Sequence, residues 1–203
     1  SMRKATRATQ KVPANANDLL RAMHARITFA FRTENIKPEV AVNADQAGVM
    51  LFPTGKYTYE KRGSKDVSVA GHEERRQFTI VTASSMAGQI IPFQSVWGGT
   101  TDQSLPSRSD PNWPTANLLG FRYAHGDTRH WSSRETTKQW VEEVLDPFFA
   151  GEKKRLGLAP ESKSLLLIDV WPVHIAKSSP DDFLPWMVKT HSNIVIIFVP
   201  GGC

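Results

Sequence analysis

The sequence predicts an α/β fold: a mixed sheet of three antiparallel strands followed by parallel strands, with helices on its faces. Three observations predict it. Short apolar runs bounded by breakers recur along the chain, at 40–44, 77–84, 90–97, 164–170 and 194–199. The two runs at 77–97 are separated by the hairpin-like Met86-Ala87-Gly88-Gln89. From residue 132 onward, stretches of helical period alternate with strands.

Taken in order, residues 1–14 are basic and polar, and read as a linker or tag remnant. Asn15 or Asn17 caps a helix that carries Leu19, Leu20, Met23, Ile27, Ala30 and Phe31 at helical spacing and ends near Asn35, before Pro38. His24 lies beside that stripe and reads as a surface or packed residue. Strand one is expected at Val40–Ala44, with a turn at Gly48 and a second strand over Val49–Phe52. Thr54 to Arg76 is polar, with Lys56, Lys61, Arg62 and Lys65 among Tyr57 and Tyr59. That mixture suits a nucleic-acid backbone and its bases, and equally a plain surface hairpin. Pro92 argues that the 90–97 strand is an edge or is bulged.

Residues 98–131 show no periodicity and read as a long ordered loop. His125, Asp127 and His130 within it are weak zinc candidates, short of a full ligand set. Ser132-Ser133-Arg134-Glu135 reads as a capping box. The helix it starts carries Trp140, Val141, Val144, Leu145, Phe148 and Phe149, with a kink expected at Asp146-Pro147. Ser179-Pro180-Asp181-Asp182 is read as the start of another helix, and 194–199 as the last strand.

The chemistry concentrates in acids at strand ends. Asp169 closes the apolar run Leu165-Leu166-Leu167-Ile168, and Asp45 closes Val40-Ala41-Val42-Asn43-Ala44. Working groups of open α/β sheets lie at such ends. Two carboxylates far apart in sequence suggest a shared site for a hard divalent cation, the equipment of phosphodiester chemistry. They can also be turn or cap acids. Gln46 is expected beside Asp45, and His174, five residues past Asp169, either reaches the site or bonds its own loop.

Four motifs in order, Asn43-Ala44-Asp45-Gln46-Ala47-Gly48-Val49, Lys61-Arg62-Gly63-Ser64-Lys65-Asp66-Val67, Leu167-Ile168-Asp169-Val170-Trp171-Pro172-Val173-His174 and Phe198-Val199-Pro200-Gly201-Gly202-Cys203, resemble the catalytic core of DDE-superfamily transposases, in the pogo branch of the mariner superfamily. The likeness runs from about Arg3 to Cys203. It implies an RNase H-like fold over 15–203 and DNA cutting and joining dependent on Mg²⁺ (or Mn²⁺) at a two-metal site. Asp45 would be the first catalytic acid and metal ligand, and Asp169 the second. The family's third acid follows the Pro-Gly-Gly-Cys turn, and this sequence stops at Cys203, so the expectation is a core truncated before its third acid and inactive as it stands. The alternative is a domesticated module that binds DNA or protein without catalysis.

Charge and composition set bounds. Among 203 residues, positions 1–37 hold eight Lys/Arg against two acids, net +6, while the whole chain is +5. The basic character is therefore an N-terminal arm, in which Arg3, Lys4, Arg7 and Lys11 are candidate phosphate contacts. The single Cys, at 203, rules out a disulfide framework. No P-loop, Gly-x-Ser-x-Gly or Gly-x-Gly-x-x-Gly motif is present. The expected partner is DNA, with a homodimer also open. No membrane and no small-molecule cofactor are expected, and the resemblance with the basic arm points to the nucleus.

Overall fold

The apolar runs beyond residue 76 become strands β2 (Gln77–Ser85), β3 (Ile90–Trp97), β5 (Ser164–Asp169) and β6 (Ile194–Val199). They belong to a computed structural model that describes residues 12–51 and 77–201. Among the described residues they join β1 (Ala41–Met50) and β4 (Arg122–His125) in a six-stranded mixed sheet, ordered β4-β3-β2-β1-β5-β6. The expected α/β architecture of RNase H-like type, with flanking helices, is therefore observed. No helix among the described residues is long and apolar enough to cross a membrane.

The chain divides into two compact units. The first holds Ser1–Ala44, Ser84–Ile90 and Phe148–Cys203. In it, β5 lies between parallel neighbours: Ala41 to Asn43 of β1 pair with Leu165 to Leu167, and Ser164 to Asp169 pair with Ile194 to Val199. A parallel strand with both faces covered has no solvent side, and so its sequence is a run rather than an alternation. Leu165, Leu166 and Ile168 are all buried accordingly, with Val40, Val42, Phe183, Met187 and Ile194. Each such side chain contributes about 1.5–3 kcal/mol when fully buried. Helix α1 (Ala16–Glu34) contacts β6 and ends at Asn35, whose φ of 50° is the left-handed cap that asparagine tolerates. Its apolar stripe is mostly half-buried, with Ala30 fully inside, and His24 is exposed.

The second unit holds Asp45–Ala83 and Ile91–Pro147. Its core gathers Val81, Ile91, Val96, Ala124, Trp140, Val141, Val144 and Leu145. Buried Gln94 donates from its side-chain amide to the Thr136 carbonyl at 3.1 Å, tying β3 to helix α3 (Arg134–Trp140).

Several expectations are corrected. The strand begun at 41 does not turn at Gly48 but runs on to Met50, because Gly48 keeps a negative-side φ and serves as an ordinary strand residue. Asp45 therefore sits within β1 rather than at its end. The strand containing Pro92 is not an edge: β4 lies outside it, pairing in parallel from Gln94↔Arg122 to Trp97↔His125. That pairing begins two residues past Pro92, so the missing N–H of the proline costs this ladder nothing. Residues 98–131 are not all loop, for they hold α2 (Trp113–Leu118) as well as β4. The capping box is Ser133 with Thr136: the Ser133 hydroxyl accepts from Thr136 N–H at 3.2 Å and the Thr136 hydroxyl accepts from Ser133 N–H at 2.8 Å.

The kink expected at Pro147 appears as a π-turn, Val141–Leu145, ahead of α4 (Asp146–Arg155). Pro147 has no N–H to offer four residues back. The widened turn reroutes the ladder, with Asp146 N–H reaching Val141 C=O. Finally, α6 (Phe183–Thr190) starts three residues later than expected, with Asp182 at its cap position. The Asp182 carboxylate turns back instead, accepting from Ser179 N–H at 2.8 Å and Ser178 Oγ at 3.1 Å.

Candidate functional site

Asp169 is the last residue of β5, where the sequence placed it. The chain then turns: Val170 N–H still reaches Val199 C=O at 3.3 Å, and Trp171 N–H bonds Asp169 C=O at 3.1 Å. Pro172 opens the one-turn helix α5 (Pro172–Ile175) with Trp171 at its cap, as a proline at the first helical position should. This turn carries His174 back beneath Asp169. The imidazole is fully buried, and its Nδ1 lies 3.1 Å from the Asp169 carbonyl and 3.1 Å from Asp169 Oδ1. Trp171 meets the ring edge-on at 5.4 Å between centroids, and Phe183 meets it at 5.7 Å. The Asp169 side chain remains 53% exposed. His174 thus bonds its own loop, one of the two roles the sequence left open, and its Nδ1 also stands within reach of the Asp169 carboxylate. Trp171 and Phe183 were not foreseen around it. The proline-initiated turn was the signal in the sequence for the first, and nothing local signalled the second.

Burial is the dominant influence on His174 and holds its pKa below the ordinary 6.5, while bonding to Asp169 and its charge pull the other way. The folded protein thus keeps the ring neutral where the unfolded chain would take a proton. The stability this gives is fully present above pH 6.5 and is lost as the pH falls below it. Urea midpoints measured from pH 7.5 to 5.0 should decline below about 6.5, and His174→Phe should flatten that decline.

Asp45 and Gln46 belong to the second unit. Asp45 is exposed, and its Oδ1 accepts from Gln46 N–H at 2.7 Å. Its carbonyl accepts from Thr82 Oγ1 at 3.4 Å. Gln46 is half-buried. The candidate phosphate contacts Arg3, Lys4, Arg7, Lys11, Lys56, Lys61, Arg62 and Lys65 lie outside the described residues, as does Cys203. No group of three or more His, Cys, Asp or Glu comes together among the described residues. His125, one of the zinc candidates, instead faces Asp102 at 3.6 Å and Ser104 at 3.5 Å.

The 98–131 segment forms a cleft of about 670 Å³ lined in part by Leu105, Arg108, Trp113, Phe121 and Tyr123. Trp113 stacks on Tyr123 at 4.8 Å, and the two arginines at its rim are paired, Arg108 with Asp102 at 3.5 Å and Arg122 with Glu143 at 3.3 Å. Its walls thus satisfy one another.

No family model matches the sequence, and no curated protein matches it. Solved structures do. A pre-cleavage Mos1 transpososome aligns with a TM-score of 0.51 at 11% identity, covering 100% of this chain and 48% of that one. The Mos1 strand transfer complex gives 0.47 at 11% identity over 97% of this chain and 45% of that one. The Mos1 transposase paired-end complex with left transposon end gives 0.46 at 12% identity over 97% and 46%. The chain spans about half the length of the chains it matches. At 11% identity the first of these is a likeness of fold: the chain is an RNase H-like α/β fold of the kind present in that transpososome.

Proposed function

We propose that this chain is the nuclease core of a DNA transposase of the mariner superfamily, pogo-like in branch, working with divalent cations through Asp45 and Asp169. The observation that carries the proposal is Asp169 itself, a half-exposed carboxylate at the end of the parallel strand β5. The fold likeness to a transpososome supports it.

The donor chemistry fits a hard cation. Both acids are exposed carboxylates, reachable by a hydrated ion. Mg²⁺ is commonly held by only one or two carboxylates, with water and substrate phosphates completing its shell. When bound, such ions activate the attacking oxygen and stabilise the leaving one in phosphodiester cleavage. The residues of this chain supply the rest. Asp45 and Asp169 would hold the cations, and the basic residues of 1–11 and 56–65 grip the backbone of the DNA. DNA as partner, action as a homodimer and a nuclear location belong to this proposal.

The alternative reading is a module that binds DNA or protein without catalysis. Mn²⁺ titration followed by the EPR signal of the free ion separates the two. Saturable binding is expected, weakened at least about tenfold in Asp45→Asn and in Asp169→Asn while circular dichroism is unchanged. Absence of saturable binding, or binding indifferent to both substitutions, favours the second reading.

A further inference from the structure

We infer that His174 is a positioning residue for Asp169: its Nδ1–H bonds the Asp169 carboxylate and the Asp169 carbonyl together, and so fixes the direction of that side chain at the end of β5. The inference rests on the metal-holding role proposed for Asp169.

The chemistry of the contacts assigns the proton. A carbonyl oxygen can only accept, and it stands 3.1 Å from Nδ1, as does Oδ1. The hydrogen of the ring must therefore be on Nδ1, shared between the two oxygens. Such a bond positions its partner only if the donor is itself immobile. His174 is: it shows no exposed surface, its N–H bonds Trp171 C=O at 2.9 Å, and Trp171 and Phe183 flank its ring. Asp169, with 53% of its side chain exposed, has no such packing to hold it. An exposed acid with a free χ1 would spread over staggered wells, and a cation would have to select one. A ring locked by the core and bonded to the acid makes that selection beforehand. This is the office of an outer-shell partner at a metal site. A role limited to bonding the loop carbonyl would leave Oδ1 out, and Oδ1 is what the inference turns on.

NMR on the chain as it stands tests this. Long-range ¹H–¹⁵N correlations report the His174 tautomer, and three-bond couplings to Asp169 Cγ report its χ1. The expected result is a ring protonated on Nδ1 and a single χ1 well for Asp169. His174→Phe keeps the bulk without the donor, and should average the couplings. His174→Asn restores an N–H near the Nδ1 position and should recover the single well. Mg²⁺ affinity should follow, falling about tenfold in His174→Phe and staying within about threefold in His174→Asn. Protonation on Nε2, an averaged χ1 in the wild type, or couplings unchanged in a folded His174→Phe would overturn the inference. If His174→Phe does not fold, the tautomer and the wild-type and His174→Asn couplings decide it. A fixed Asp169 in a chain that binds no Mg²⁺ supports the positioning and sinks the proposed metal role instead.

Discussion

Phe183→Ala is expected to destabilise the first unit by about 3–5 kcal/mol, the range for a large aromatic side chain lost from a core. Phe183 is wholly buried at the first residue of α6. It lies 5.7 Å from the ring of His174 in α5 and 6.3 Å from that of Trp186, one turn on in its own helix. Removing it leaves a hole beside the His174 and Trp186 rings. Urea denaturation with fluorescence detection measures the loss. A cost below about 1.5 kcal/mol would mean that Trp171 or Trp186 collapses into the space. The same variant should loosen His174, visible as faster exchange of its ring proton.

Gly126→Ala is expected to cost the second unit about 3 kcal/mol, at the upper end of overpacking effects. A β-carbon at 126 would overlap the Arg129 carbonyl oxygen and stand 3.0 Å from a Val96 methyl. The obstruction is main chain, which cannot rotate away as a side chain does. The turn it would disrupt is closed on both sides, by Gly126 N–H to Trp97 C=O at 2.7 Å and by Arg129 N–H to Gly126 C=O at 3.2 Å. Thermal unfolding should show the drop. A shift near zero would show that residues 127–129 can be displaced without loss of the β3–β4 pairing.

How far the sequence could be read depended on how each element announces itself. β5 was legible because a strand covered on both faces must be apolar at every position, and Leu165-Leu166-Leu167-Ile168 is hard to read otherwise; β6 was legible as an unbroken β-branched and aromatic run. β4 escaped because it is four residues long, Arg122 to His125, with Ala124 its only buried residue. So short a segment has no measurable alternation, and its pairing is fixed by Gln94 to Trp97, far off in sequence. The end of β1 was misjudged because glycine in a polar context suggests a turn, whereas Gly48 serves simply as strand. At α6 the letters Ser-Pro-Asp-Asp read as a helix begun at Ser179, whereas the helix starts at Phe183 and the Asp182 carboxylate is taken up by Ser178 and Ser179 of the preceding loop. Asp169 and His174 were legible as candidates, since both lie in one short motif. The packing that immobilises His174 was not, because Phe183 reaches it only through the course of the intervening loop.

The pairing of Ala41 with Leu165 has a kinetic consequence. The two residues are 124 positions apart, and bringing such distant points together costs on the order of 4 kcal/mol of chain entropy before any contact repays it. During synthesis, the segment around Val40 and Val42 must therefore wait uncovered until the segment around 165 has emerged. The first unit should consequently refold slowly, in milliseconds to seconds, and the interval before residue 165 arrives is when a chaperone or a neighbouring chain would find the β1 segment exposed.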